Sequence, residues 1–160
     1  MQCAKNYRTS IFFINLEQRD YLKKQIDQLG RVLGKIFSDL LGLKSQGLVD
    51  EGISFAEQAL KNEIDLDLAE LSTILPEDLL YTLTITKHFS NENLNLLAEI
   101  FYIIADQKQM NSKDDSKSIE LYNKCLIIFE HLNNSETTYS FDRNAKMERI
   151  RQMFLNSNQN

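Results

Sequence analysis

The chain of 160 residues contains no tryptophan, one proline, five glycines, two cysteines and two histidines. Proline and glycine most often interrupt helices, so their scarcity favours long helical segments. Two cysteines in a chain of this size do not form a disulfide framework and are typical of a reduced, cytoplasmic protein. No apolar run approaches the roughly 20 residues that a membrane span needs. We therefore expect a cytoplasmic helical protein with no membrane partner.

Signatures of catalysis and metal binding are also missing from the sequence. His88 and His131 lie at no metal-ligand spacing from each other, from Cys3 or from Cys125. No glycine-rich phosphate loop occurs. The carboxylate pairs fall in predicted turns or helix starts, where capping explains them: Asp65/Asp67, Glu77/Asp78 and Asp114/Asp115. We therefore predict no catalytic residue, no metal site and no cofactor, and we expect that the protein is not an enzyme.

The net charge of -5 is unevenly distributed along the chain. Residues 1–44 carry eight Lys/Arg and four Asp/Glu, whereas residues 45–100 carry two Lys/Arg and eleven Asp/Glu. Residues 101–160 carry eight Lys/Arg and eight Asp/Glu. The acidic middle disfavours a continuous nucleic-acid footprint, because phosphates require a contiguous positive surface. Two interpretations remain open: the basic first helix neutralises the acidic centre within the fold, or one of them is a docking face for a partner.

The clearest predicted element is a first helix with an apolar stripe at alternating steps of four and three: Leu22, Ile26, Leu29, Leu33, Ile36, Leu40 and Leu43. Val32, Phe37 and Leu41 widen the stripe, which favours the interior of a helical bundle over a coiled-coil dimer. Gly30 and Gly34 lie four residues apart within this helix, where each costs about 1 kcal/mol relative to Ala. We predict that another backbone approaches closely at both positions.

The remaining helices are predicted at about residues 49–64, 76–89, 90–108, 115–132 and 141–155. Gly42 and Gly47 end the first helix, and residues 65–68 form a loop. The helix over 76–89 contains three threonines, which are poor helix formers, and the helix over 90–108 is apolar on nearly all sides, which predicts a central, buried position. The fold prediction is all-α: five to six helices in antiparallel hairpins, in one domain spanning residues 1–160. An unrelated α-bundle is the alternative. Residues 1–15 form an N-terminal segment outside the predicted helices, and residues 156–160 form a frayed tail.

A short apolar run within that N-terminal segment consists of Ile11, Phe12, Phe13 and Ile14. It is too short for the hydrophobic region of a signal peptide, and no small-residue cleavage site follows it. The run has no assigned place in the predicted helical layers. We therefore predict that these four residues form an interaction surface, either for a partner protein or for a second copy of the chain.

One predicted helix carries small residues at offsets of four and three: Gly52, Ala56 and Ala59. The same offsets recur 66 residues later, with an aromatic residue in the middle: Ser118, Tyr122 and Cys125. This pattern resembles the second helix of the tetratricopeptide repeat family, whose repeats are about 34 residues long. The helix that begins at Asp20 with DYLKKQIDQLGRVLGKI is also similar to that of a bacterial family of small all-helical proteins of unknown function. The tetratricopeptide resemblance implies that the six residues of the two sets pack helices against each other.

Two functions are consistent with such a helical architecture. The tetratricopeptide resemblance implies a non-catalytic scaffold or adaptor whose stacked helices bind a protein or peptide partner. The alternative is a helical bundle that binds a small molecule or regulatory ligand in a pocket between the fourth and fifth helices. A large apolar groove with a polar rim would favour the first, and a closed cavity with convergent polar groups would favour the second.

Overall fold

The computed structural model describes residues 3–111 and 116–157, and within them the side chains of residues 13–110 and 116–156. All regular structure in these ranges is helical, which confirms the all-α prediction. Seven α-helices occur in the described chain: α1 Cys3–Ser45, α2 Val49–Ile64, α3 Leu68–Leu71, α4 Pro76–Tyr81, α5 Asn91–Asn111, α6 Ser116–Ser135 and α7 Phe141–Ser157. A π-helical turn, Thr82–Thr86, follows α4 directly.

Helix α1 is longer than the sequence predicted. It begins at Cys3, so the described part of the predicted N-terminal segment is continuous with the first helix. Gly42 lies inside the helix and does not end it. Gly47 follows the last turn with a φ of +78°, a conformation that glycine adopts without steric cost. Because α1 starts so early, the run from Ile11 to Ile14 is part of a helix; the side chains of Ile11 and Phe12 lie outside those that the structure describes.

The predicted loop at residues 65–68 contains the start of a short helix. Asp65 has a left-handed backbone (φ 53°) that ends α2. The Asp67 Oδ1 atom then accepts a hydrogen bond of 2.8 Å from the backbone N–H of Ala69, which caps α3. The Lys61 Nζ atom lies 2.7 Å from the Asp67 carboxylate and lowers the pKa of that carboxyl. This added helix brings the number in the described chain to seven, above the predicted five to six.

The predicted helix over residues 76–89 is shorter and irregular. Its α-helical part ends at Tyr81, and the π-helical turn covers the segment with three threonines. The Thr84 hydroxyl donates to the Leu80 carbonyl oxygen at 2.7 Å, so it competes with the backbone for that acceptor. His88 then takes a positive φ of 57°. β-Branched residues fit poorly in a regular helix, which accounts for the early break.

The core is centred on α5. This helix packs against α1, α2 and α6, and its residues from Ile100 to Gln107 are all buried. The sequence pattern, apolar on nearly all sides, correctly predicted a central helix. Helix α6 packs along α5, and α7 adds Met147 and Ile150 to the same core.

Six of the eight predicted packing residues are buried in this core: Gly52, Ala56, Ala59, Ser118, Tyr122 and Cys125. Gly30 and Gly34 are half-buried. A Cβ atom on Gly30 would lie 2.8 Å from Oδ1 of Asn93 on α5, so the close neighbour there is a side chain and not a backbone. The prediction for Gly34 was wrong, because no atom of another helix lies within 4 Å of its Cβ position. The close contact between α1 and α5 is therefore at Gly30 and not at Gly34.

Three cations on α7, spaced three residues apart, hold this helix against α5 through polar contacts. Arg143 Nη2 donates to Asn95 Oδ1 at 3.1 Å, Lys146 lies 2.6 Å from Glu99, and Arg149 lies 2.7 Å from Asp106. Arg143 also forms a 2.9 Å ion pair with Glu136 at the end of α6. The side chains of Lys146 and Arg149 lie near the ring of Tyr102 as well. These residues explain the position of α7, which sequence periodicity alone did not indicate.

Candidate functional site

The first half of α1 extends beyond the packed core. Every described residue from Phe13 to Gln25 is exposed to solvent except Leu22, which is half-buried. The exposed residues include Ile14, 52% exposed, and Tyr21, 65% exposed. We call Phe13–Gln25 the arm. Contact with α5 begins just after it, where the Ile26 carbonyl oxygen accepts a 3.1 Å hydrogen bond from Asn93 Nδ2.

A groove of about 900 Å³ lies where the arm meets the core. One wall is a face of α1 running from Tyr21 to Val32, which spans about three turns of the helix. The other wall is formed by the end of α2 and the segment after the π-helical turn: Glu63, Ile64, Thr86, Lys87, His88 and Phe89. The early break in the third predicted helix and the left-handed backbone of His88 place this second wall beside α1.

The groove has an apolar floor and a polar rim. Leu29, Val32 and Ile64 are half-buried and Phe89 is 5% exposed, so these side chains form the floor. The rim consists of exposed polar side chains: Lys24, Gln25, Gln28, Arg31, Glu63, Thr86 and His88. An elongated apolar surface with a polar edge is the kind of surface that receives a helix of another chain.

The rim carries more positive than negative charge. Three cationic side chains line the groove: Lys24, Arg31 and Lys87. Glu63 is the one carboxylate among the described residues that line it. Lys87 is already engaged, because its Nζ contacts the backbone oxygen and the carboxylate of Asp65. Arg31 donates to Gln28 Oε1 at 3.1 Å, and within the described part of the chain neither Lys24 nor Arg31 pairs with a carboxylate. The groove therefore favours an occupant with acidic side chains beside its apolar contacts.

A second pocket, of about 400 Å³, lies among α2, α3 and the adjoining ends of α5 and α6. Its walls carry Lys61 and Lys108, but each lysine is paired: Lys61 with Asp67 and Lys108 with Glu57, both at 2.7 Å. An anionic ligand would have to displace these carboxylates. The predicted ligand pocket between the fourth and fifth helices, now α5 and α6, corresponds in part to this site.

Of the residues that the sequence analysis considered for chemistry, the structure describes Cys125, His88 and His131, whereas Asp114, Asp115 and the side chain of Cys3 lie outside the described part. Cys125 is fully buried, its Sγ lies 3.4 Å from the carbonyl oxygen of Ala98, and burial raises the pKa of the thiol well above its usual value. A thiol in this environment is a packing group and not a nucleophile. His88 lies on the groove rim and His131 on α6. Among the described residues, no group of three His, Cys, Asp or Glu side chains is arranged to hold a metal ion.

The described helices include none that is both long enough and apolar enough to cross a membrane. This holds for α1 despite its 43 residues, because charged residues recur along it.

Sequence reasoning located the apolar run at Ile11–Ile14 but missed the groove. Phe13 is 58% exposed and Ile14 is 52% exposed, so the described half of that run lies at the surface. The sequence does place the groove residues Tyr21, Gln25 and Gln28 on one helix face, because they follow each other at steps of four and three. The stronger leucine pattern on the same helix drew the analysis to another face. The opposite wall comes from residues 63–64 and 86–89, whose proximity to α1 is a property of the fold.

Comparisons of the chain with protein-family models, with curated proteins and with solved structures return no match.

Proposed function

We propose that this protein is a non-catalytic interaction module that binds a helix from another chain in the groove between the arm and the core. The observation that carries the proposal is the groove itself, with its apolar floor of Leu29, Val32, Ile64 and Phe89 and its cationic rim. A helix with one apolar face and acidic side chains along one edge fits this surface. The interaction would take place in the cytoplasm, in line with the two-cysteine composition.

We also infer that the packed pairs α1/α2 and α5/α6 are divergent hairpins of the tetratricopeptide type. In support, each pair is consecutive in sequence and in contact. The residues at matching offsets are buried in both pairs: Gly52, Ala56 and Ala59 on α2, and Ser118, Tyr122 and Cys125 on α6. Interaction modules built from such hairpins bind partners on exposed helix faces.

The groove can be probed with a synthetic helical peptide that has leucines at steps of three and four and glutamates along one edge. Fluorescence anisotropy of the labelled peptide would measure its affinity for the folded protein. We expect the double change Lys24→Glu plus Arg31→Glu to weaken binding about tenfold, because two rim cations become anions. Added salt should weaken binding to the unchanged protein as well, since the rim charges are exposed.

Lys23→Glu is a matched control for the rim change at Lys24. It alters the same charge on the neighbouring residue, which is equally exposed but does not line the groove. We expect Lys23→Glu to leave peptide affinity within about twofold. Equal losses in Lys23→Glu and Lys24→Glu would show that only net charge matters, and absence of peptide binding to the folded protein would refute the proposed function.

A further inference from the structure

The face of α1 that lines the groove continues along the arm. Tyr21, Gln25, Gln28 and Val32 line the groove and follow each other at steps of four, three and four. Ile14 precedes Tyr21 by seven residues, so it lies on the same face two turns further out. Both Ile14 and Tyr21 are more than half exposed. The arm therefore presents the same face to solvent that the core end of α1 presents to the groove.

One edge of this face has opposite charges at its two ends. Glu17, Lys24 and Arg31 are spaced by seven residues and lie along one edge of the helix. Asp20 lies beside Glu17 on the outer part of that edge. The outer part is thus acidic and the part beside the groove is basic. An edge with this distribution is complementary to itself when two copies of the helix run antiparallel.

We propose that the occupant of the groove is the arm of a second copy of this chain, and that two copies exchange arms in an antiparallel dimer with two-fold symmetry. This inference rests on the proposed function and identifies its partner. Packing Ile14 opposite the partner's Val32, and Gln18 opposite the partner's Gln28, places the arm along the groove wall and brings Glu17 beside the partner's Arg31. Two-fold symmetry repeats this ion pair, so each dimer contains it twice.

The dimensions of the two surfaces agree with this arrangement. The groove wall from Tyr21 to Val32 is about 17 Å long, and the arm from Phe13 to Gln25 is about 18 Å long, at about 1.5 Å per residue. The arm also supplies what the groove lacks: an apolar residue, Ile14, with a carboxylate, Glu17, on the adjacent edge. Because the groove starts where the arm leaves the core, reciprocal exchange fills both grooves of a dimer.

A charge-exchange experiment tests the register directly. Glu17→Lys or Arg31→Glu alone turns both attractive pairs into repulsive ones, and we expect the dissociation constant of the dimer to rise about tenfold in sedimentation equilibrium. Mixing the two single variants should restore association as a heterodimer, because each pair is again opposite in charge. The double variant carrying both changes should restore the homodimer. Failure of the mixture and of the double variant to recover association would overturn the proposal.

A second pair of variants tests which face of the arm is used. Ile14→Asp places a charge on the proposed contact face, whereas Leu16→Asp places it on the opposite side of the same exposed helix. We expect Ile14→Asp to give a monomer and Leu16→Asp to retain the dimer, with unchanged helical circular dichroism in both. Equal association in the two variants, or a monomeric unchanged protein at its highest soluble concentration, would refute arm exchange.

The acidic helical peptide separates this inference from the proposed function. In Ile14→Asp the arm no longer enters a groove, so the groove stays open for the peptide. Peptide binding to that variant, together with a monomeric unchanged protein, would support the interaction function and reject the second copy as partner. A monomeric unchanged protein, together with no peptide binding to Ile14→Asp, would reject both the second copy as partner and the interaction function.

Discussion

Gly30 and Gly34 provide a matched pair of substitutions for testing the contact between α1 and α5. Both glycines lie inside the same helix, so Ala at either position gains about 1 kcal/mol of helix propensity. At Gly34 the new methyl group meets no atom of another helix within 4 Å. We therefore expect Gly34→Ala to stabilise the protein and to raise its melting temperature by roughly 2–4 °C, the usual response of a chain of this size to 1 kcal/mol.

At Gly30 the same methyl group lies 2.8 Å from Oδ1 of Asn93, which must move. Asn93 is 3% exposed, its backbone N–H donates to Ser90 Oγ at 3.2 Å, and its amide nitrogen donates to the Ile26 carbonyl oxygen at 3.1 Å. Overpacking costs about 1–3 kcal/mol, and a weakened hydrogen bond adds about 1 kcal/mol. After subtraction of the propensity gain of about 1 kcal/mol, we expect Gly30→Ala to destabilise the fold by about 1–3 kcal/mol.

Thermal melts of the two variants followed by circular dichroism measure the difference. An equal rise of both midpoints would show that Asn93 moves aside without cost and would refute the reasoning. Adding Asn93→Ala provides an internal check, because it removes the obstructing oxygen. In that background Gly30→Ala should stabilise the protein by about 1 kcal/mol, so the double-mutant cycle should give a coupling free energy of about 2–4 kcal/mol.

Two further predictions concern the core and α7. Cys125 is buried, and burial raises the pKa of its thiol. In a Cys3→Ser variant we therefore expect Cys125 to react with a thiol reagent at neutral pH only after denaturant is added. Rapid modification of the folded protein would contradict the buried position of Cys125. Arg143 is 6% exposed and bound to Glu136 and Asn95. We expect Arg143→Ala to lower the free energy of unfolding by about 2 kcal/mol, because both partners are left unpaired. The control Arg151→Ala breaks an exposed pair with Glu130 and should cost less than about 0.5 kcal/mol in chemical denaturation.

Elements set by local pattern were predicted closely from the sequence. Helix α2 has the predicted bounds, Val49–Ile64, because its apolar periodicity and the acidic residues of its first turn act within the helix itself. The burial of α5 was also predicted, since a helix that is apolar on nearly all sides has no solvent face. Both results depend on residues within about 20 positions of each other.

Features that require distant residues were not predicted. The groove joins α1 to residues 63–64 and 86–89, which local periodicity cannot bring together. The π-helical turn and the positive φ of His88 set the second wall, although the threonines of that segment did indicate a weak helix. The contacts of Arg143, Lys146 and Arg149 likewise depend on α5 being alongside, because the spacing of cations on one helix does not identify their partners.

The early start of α1 is the feature that connects fold and proposed function. An isolated helix as short as the arm is marginal in water, because nucleation is unfavourable. The arm avoids that cost, since it extends a helix whose later turns, from Leu33 to Leu40, are fixed in the core. Extension alone offers little stabilisation, however, and it leaves Ile14 and Tyr21 in solvent. Docking of the arm into a groove would bury these side chains and stabilise the exposed turns. The same helix thus provides, in one chain, both the segment that docks and one wall of the site that receives it, which is the arrangement that reciprocal exchange between two copies requires.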